Sequence, residues 1–306
     1  MWGKKRILVT GSNGLLGQKL TDLSLADPEI ELIATSTGPD RHPARAGYIY
    51  EELDVLDKVR IEELVAKYRP DAIIHTAAMT NVDACENDHE KCYALNVESV
   101  KYFVEVCGKN DIQLVHLSTD FIFDGEDGPY TEEAEPNPLS YYGQTKLEAE
   151  QLIKESNCRW AILRTIIVYG IVSDMSRSNI VLWAKSALEK GEPINVVDDQ
   201  WRMPTLAEDL AECCLLAVKK DAQGVFNASG KDLMSIIEIV QRVADYWNLD
   251  KSLIRPISAD TLNQAAKRPK KTGFILDKTI RVLGYQPHSF EEGIAIMEKQ
   301  LLERNA

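Results

Sequence analysis

The sequence predicts an α/β fold, a doubly wound parallel sheet, with a smaller C-terminal lobe. Three observations predict it. Short apolar runs alternate with longer amphipathic ones through the first half, a glycine-rich turn follows the first apolar run directly, and the rhythm loosens after about Ile166. Strands spaced by helices imply right-handed parallel crossovers. In order, Ile7-Leu8-Val9-Thr10 reads as a buried strand, then a helix runs through about Ala26. Glu31–Thr35 is a second strand, and Tyr48-Ile49-Tyr50 leads to Asp54. A helix over Lys58–Tyr68, a strand over Ala72–Thr76 and one long helix over Glu90–Lys109 follow. Ile112–Leu117 and Trp160–Leu163 complete the expected strands. Residues 1–166 therefore form the expected sheet domain. Residues 167–306 form a mostly helical lobe, some of whose segments return to pack on the first domain, with helices around Ser176–Lys190, Ala207–Lys219, Ser235–Trp247 and Glu291–Leu302.

With 306 residues the chain is long enough for a substantial core without staples. Its net charge of −13 argues against nucleic acid, whose phosphates need a basic face. The basic run Lys267-Arg268-Pro269-Lys270-Lys271 suits either a small anion or plain solvation. Six cysteines without a Cys-x-x-Cys pair, several in apolar helical contexts, point to a reducing compartment. No run approaches the roughly 20 apolar residues of a membrane span, and no signal-peptide core follows Met1-Trp2-Gly3, so a cytoplasmic protein is expected.

Thr10-Gly11-Ser12-Asn13-Gly14-Leu15-Leu16-Gly17 lies between the first strand and the first helix. Glycines there let the backbone turn sharply or let a pyrophosphate approach the backbone N–H groups, and the third permits close packing. In that position the motif predicts a dinucleotide-binding (Rossmann) domain. At the end of the second strand, Ala34-Thr35-Ser36-Thr37-Gly38 carries no carboxylate before Asp40, and Arg41 and Arg45 follow. An acid there would repel a 2′-phosphate. NADP(H) is the preferred cofactor on this reading, with NAD(H) as the alternate.

Leu117-Ser118-Thr119-Asp120 ends a strand at the edge where open α/β sheets bind ligands. Tyr141-Tyr142-Gly143-Gln144-Thr145-Lys146 starts a helix, which places Tyr142 and Lys146 four residues apart on one face. An ammonium beside a phenol lowers its pKa and makes it a usable proton donor, and Thr119 can orient a substrate oxygen. Glycine loop, strand-tip hydroxyl and Tyr-x-x-x-Lys occur in the right order.

On these residues the chain resembles the extended short-chain dehydrogenases/reductases, and within them the dTDP-4-dehydrorhamnose reductase family. The similarity rests on Ser118–Gly125, Pro129–Glu133, Asn137-Pro138-Leu139, Tyr142–Glu150, Leu163-Arg164-Thr165 with Val168-Tyr169-Gly170, Asp199-Gln200, Pro204-Thr205 and Arg268-Pro269. It implies reduction of a 4-keto sugar nucleotide, with Thr119, Tyr142 and Lys146 catalytic. Gly11, Ser12, Asn13, Gly14, Leu15 and Leu16 would hold the pyrophosphate end, with Ser36 at the ribose and Asp54 and Val55 at the adenine. Ala77, Ala78 and Thr80 would line the cofactor cleft, and Lys146 would contact the nicotinamide ribose. Asn96 resembles the family's supporting helix asparagine. The substrate would meet Val82, Asp83, Thr119, Asp120, Phe121, Tyr142, Ile167, Gln200 and Arg202. A homodimer is compatible with this reading.

Two departures bear on the sugar. Ile167 stands where the family has a tryptophan, and Arg202, in Asp199-Gln200-Trp201-Arg202-Met203-Pro204-Thr205, stands where it has a glycine. Arg202 suits a phosphate or carboxylate contact, and Trp201 can stack on a ring, or both can serve packing. An epimerase or dehydratase on the same scaffold is an alternative, although Asp120 is followed by Phe121, so a dehydratase's acidic pair is missing. A second alternative is a non-catalytic role like that of the regulatory subunit of methionine adenosyltransferase, which resembles these reductases. Asp83, Glu86, His89 and Cys92 match no zinc spacing, so no metal is expected. Glu132 and Glu133 are expected to fix or solvate a loop. His116 and Ser118 are expected to face opposite ways, leaving no hydrolase pair.

Overall fold

Apolar strands buried on both faces set the architecture of the computed structural model, which describes residues 4–173 and 178–305. β1 (Lys5–Thr10), β2 (Ile30–Ser36), β3 (Ile49–Glu52), β4 (Ala72–His75), β5 (Gln113–Thr119) and β6 (Arg159–Thr165) form one parallel sheet with a further strand, Gly224–Asn227. Across the sheet the order is Gly224–Asn227, β6, β5, β4, β1, β2, β3. The chain leaves β1 for β2 on one side and later returns to β4 on the other, so a crevice opens beyond the end of β1. In register, Thr10 lies opposite both Thr35 and His75, and Thr119 opposite Thr165. Hydroxyl-bearing residues therefore line the C-terminal edge.

Alternation along the strands splits the core into two layers. Ile7, Val9, Ile74 and Leu163 pack against α1 (Leu15–Ala26) and a later helix, Ala207–Lys219, whereas Leu8, Ile33, Ile73, Leu114 and Ile162 face the helices of the opposite layer. That second layer consists of α2 (Lys58–Tyr68), α5 (Ser99–Asn110) and α6 (Tyr141–Lys154). Between β4 and α5 lie two short helices, α3 (Val82–Asn87) and α4 (His89–Tyr93).

The expected long helix over Glu90–Lys109 is interrupted: α4 passes through a π-helical turn, Ala94–Glu98, before α5 begins. Hydrophobic periodicity does not register one extra residue in a turn. Such bulges recur at functional sites.

The second half holds α7 (Ile180–Glu189), α8 (Ala207–Lys219), α9 (Ile236–Tyr246), α10 (Asp277–Leu283) and α11 (Phe290–Asn305). Ser176 and Arg177, where the first of these was expected to start, lie outside the described residues, as do Met1–Gly3. This half also carries strands that periodicity did not reveal. Three small sheets pair Val168–Tyr169 with Thr205–Leu206, Trp201–Arg202 with Met234–Ser235, and Ile194–Val197 with Ile254–Ile257. Strands of two to four residues are too short to show a period of two. A separate apolar core holds α7, α9 and α11 together. The strand Gly224–Asn227 and α8 instead join the main sheet and its helical layer.

Candidate active site

A single cleft of about 840 Å³ runs along the C-terminal edge of the sheet, from the glycine loop to the small sheets of the second half. Gly11 has φ +67, and a Cβ there would meet the Thr76 hydroxyl at 2.8 Å. A Cβ at Gly17 would lie 2.4 Å from the Gly11 carbonyl oxygen, so the third glycine lets the helix fold back on its own loop. At Gly14 only the Gly11 oxygen lies within 4 Å of such an atom. Gly14 caps α1 without a side-chain acceptor, and the first turn has no acid, so the leading N–H groups of a helix open on the cleft. That arrangement fits the pyrophosphate of a dinucleotide.

Asn13, Gly14, Leu15 and Leu16 line this end, and Ser36, Thr37 and Arg41 line its ribose side. Asp54, Val55, Ala77, Ala78 and Thr80 border the same space. Asn13 ties the loops together, with its amide donating to the Pro39 carbonyl (3.0 Å) and its oxygen accepting from Arg41 N–H (2.9 Å). Ser12 is placed differently. Its side chain is buried under the loop, away from the cleft, while its N–H donates to the Thr35 carbonyl at 2.9 Å.

The proton-handling end forms where β5 meets α6. Ser140 caps α6 by accepting from Gly143 N–H at 3.3 Å. A Cβ on Gly143 would lie 2.2 Å from the Phe121 carbonyl oxygen, so glycine is what lets α6 sit this close to the tip of β5. Thr119, Tyr142 and Lys146 all face the cleft. Burial pushes the Tyr142 phenol above its ordinary value, and the Thr119 hydroxyl bonds to it and pulls partly back. The expected lowering by Lys146 is not among the causes of this shift, whose direction desolvation sets. Lys146 is itself buried and pushed down to about 8, with the Glu150 carboxylate opposing that shift.

Beneath the pair, Arg164 on β6 grips Glu150 on α6 with two bonds of 2.9 and 2.8 Å, both side chains fully buried. Arg164 also donates to the Glu132 carbonyl at 3.0 Å. The Glu132 carboxylate accepts from Asn227 N–H (3.0 Å), so it fixes a loop to the edge strand, while Glu133 lies exposed near Lys278.

Asn96, within the π turn, accepts from Met79 N–H (2.8 Å) and donates to the Met79 carbonyl (3.1 Å). The bulge thereby pins the segment after β4 that borders the cleft. His116 and Ser118 do not face opposite ways. Residues two apart on a strand share a face, and both side chains turn toward α6: His116 meets Lys146 at 3.1 Å and Ser118 approaches Glu150. Reasoning from sequence missed His116; the available signal was a polar residue inside an apolar strand, in phase with Ser118.

At the far end, Val82, Asp120, Phe121, Ile167, Gln200 and Arg202 line the cleft. Ile167 has φ +27, a costly backbone for a β-branched residue. It is held there by Thr205, whose N–H donates to the Ile167 carbonyl (3.1 Å) and whose hydroxyl donates to that of Ile166 (2.7 Å). Arg202 is buried and donates to the carbonyls of Trp201 (2.7 Å), Lys270 (3.2 Å) and Pro269 (2.7 Å). Its Nε lies 3.7 Å from Asp120, whose carboxylate also accepts from the Thr119 and Thr272 hydroxyls. Desolvation raises Asp120 above the ordinary carboxylate range, with Arg202 as the main opposing influence.

Asp83 does not reach the cleft. It forms a bidentate pair with Arg268 (2.6 and 3.2 Å), and Arg268 does line the cleft. The other three potential ligands of that stretch are also engaged elsewhere. Glu86 accepts from Tyr141 N–H, His89 stacks on Tyr141, and Cys92 is buried beside Asn96. Among the described residues no cluster is arranged to hold a metal ion, and no helix is long and apolar enough to cross a membrane.

A seven-stranded parallel sheet, an open glycine loop and a Thr–Tyr–Lys set at one cleft define an extended short-chain dehydrogenase/reductase. The chain belongs to the family described as RmlD substrate binding domain, which matches residues 5–303. Among relatives, methionine adenosyltransferase 2 subunit beta of Xenopus laevis is 31% identical, over 87% of this chain and 78% of its own length. The probable low-salt glycan biosynthesis reductase Agl14 of Haloferax volcanii is 29% identical, over 95% and 96%. The crystal structure of dTDP-4-dehydrorhamnose reductase from Bacillus anthracis, in complex with NADP, superposes with a TM-score of 0.83 at 27% identity, covering 97% of this chain and 99% of that one.

Proposed function

We propose that this chain is a cytoplasmic reductase of 4-keto sugar nucleotides, with dTDP-4-dehydrorhamnose the first substrate to try and NADPH preferred over NADH. The observation that carries the reading is the convergence of Thr119, Tyr142 and Lys146 on the cleft that begins at Gly11 and Gly14. A bound nicotinamide dinucleotide would supply the hydride. The open N-terminus of α1 would hold its pyrophosphate, with Asn13, Leu15 and Leu16 around it, and Ser36, Thr37 and Arg41 would border a 2′-phosphate. Residues 167–306 would close the sugar end of the cleft.

Thr119 would donate to the carbonyl oxygen and fix its direction, and the adjacent Tyr142 would deliver the proton as the alkoxide forms. Lys146 would contact the ribose and, while charged, favour loss of the phenolic proton. Asp120 is followed by Phe121, so the acidic pair of a dehydratase is missing, which favours reduction over dehydration. The test follows nicotinamide absorbance with both reduced cofactors and a dTDP-4-keto sugar. Stoichiometric oxidation supports a reductase, and a cofactor that is recycled instead points to an epimerase.

A second reading has its own observation. Several relatives about 30% identical are methionine adenosyltransferase 2 subunit beta. A subunit role predicts co-purification with a methionine adenosyltransferase and no turnover of any keto sugar.

A further inference from the structure

The Lys146 ammonium is buried, and its hydrogen-bond partner is an imidazole, not a carboxylate: Nζ lies 3.1 Å from His116 Nε2. The nearest acid on the same helix is Glu150, one turn on. Both its oxygens are taken, by Arg164 at 2.9 and 2.8 Å and by Lys154 at 2.9 Å. The other ionisable groups around the pair are Tyr142 on α6, Cys92 on α4 and His75 on β4, whose ring stacks on His116 with centroids 5.7 Å apart.

An ammonium can only donate, so His116 must accept at Nε2 and carry its proton on Nδ1. A second proton on the ring would set two cations 3.1 Å apart in a buried site. Burial and Lys146 both push His116 well below its ordinary value, which agrees. Among the described residues Nδ1 has no partner, and His75 bonds elsewhere, to Thr10 (2.8 Å) and Ser99 (3.4 Å).

We infer that His116 is a positioning residue for the Tyr142–Lys146 pair: its neutral ring anchors the ammonium without cancelling the charge that the phenol and the cofactor ribose need. A carboxylate in that place would hold the lysine equally well but neutralise it. This rests on the reductase reading for its effect on turnover, but not for its effect on cofactor affinity.

The test compares His116→Leu, His116→Gln and His116→Glu with the wild type in two measurements. One is the NADPH dissociation constant by fluorescence, from about pH 6 to about pH 10. The other is kcat on a dTDP-4-keto sugar. In the wild type, affinity should fall once the ammonium deprotonates. His116→Leu removes the acceptor, so that break moves down by about one pH unit and kcat at neutral pH falls roughly tenfold. His116→Gln, whose amide oxygen can accept, restores both. His116→Glu moves the break up while kcat stays low. If the leucine variant does not fold, the glutamine and glutamate variants still bracket the break from either side. A break that is the same in every folded variant overturns the inference, as does a glutamine variant no better than leucine. No turnover by the wild type, with the break moving as described, removes the reductase reading and leaves the inference standing.

Discussion

Gly143→Ala offers a sharp test of how the site is built, because two effects of known sign compete. On an isolated helix the change is favourable by about 1 kcal/mol. Here the new methyl would sit 2.2 Å from the Phe121 carbonyl oxygen and 3.0 Å from Pro138 Cβ, so it has no side to yield to. The contact partner is backbone two residues beyond Thr119. Relief therefore requires α6 to move from the tip of β5 by about 1 Å, and Tyr142 to move from Thr119 with it. Overpacking of this kind costs about 1–3 kcal/mol, which the propensity gain partly offsets. A displacement of about 1 Å at reacting groups costs about a hundredfold in rate, or about 2.7 kcal/mol. Catalysis should therefore lose more than stability. The assay pairs thermal unfolding with kcat/KM for NADPH-dependent reduction. We expect a drop of a few degrees, NADPH affinity close to the wild type and kcat/KM down about a hundredfold. A variant that is more stable and fully active would refute the claim that this glycine sets the Thr119–Tyr142 approach.

Other expectations follow from the same geometry. Arg202→Met should cost about 3–5 kcal/mol, because it strips the buried Asp120 of its cation and three carbonyls of a donor; denaturant titration would show it. Arg202→Met combined with Asp120→Asn should recover much of that loss. Folded His75 is pushed down to about 3, by burial first and the Lys146 charge second. The unfolded chain binds that proton near its ordinary value, so this contribution to stability is present above about pH 6.5 and is lost as pH falls. At about pH 5 His75 alone should cost about 2 kcal/mol, and His75→Gln should flatten that part of the stability profile. Ile167→Gly should relieve about 1 kcal/mol or more of backbone strain and widen the sugar end, so it should raise KM for the keto sugar more than that for NADPH.

The sheet and the glycine loop were legible because their signals are local and repeated. The β1, β2, β4 and β6 segments each carry three or four consecutive apolar residues, β5 is apolar around His116, and α2 and α8 show their buried stripe over whole turns. Tyr142 and Lys146 were legible because four residues on a helix fix a shared face. What escaped depends on partners far along the chain. The strand Gly224–Asn227 is defined by pairing with β6, and Arg202 by carbonyls nearly seventy residues away. The π turn at Ala94–Glu98 changes one hydrogen-bond spacing and leaves the apolar pattern intact. Ser12 and Asp83 have residue types that suit a ligand, but a buried loop and Arg268, respectively, claim them.

The most direct measurement is the rate of NADPH oxidation with dTDP-4-dehydrorhamnose by the wild type and by Tyr142→Phe, alongside the NADPH affinity of each. The account predicts one cofactor oxidised per sugar reduced, loss of turnover by at least about a hundredfold in the variant, and cofactor affinity within a fewfold of the wild type. A variant that turns over at the wild-type rate would contradict it.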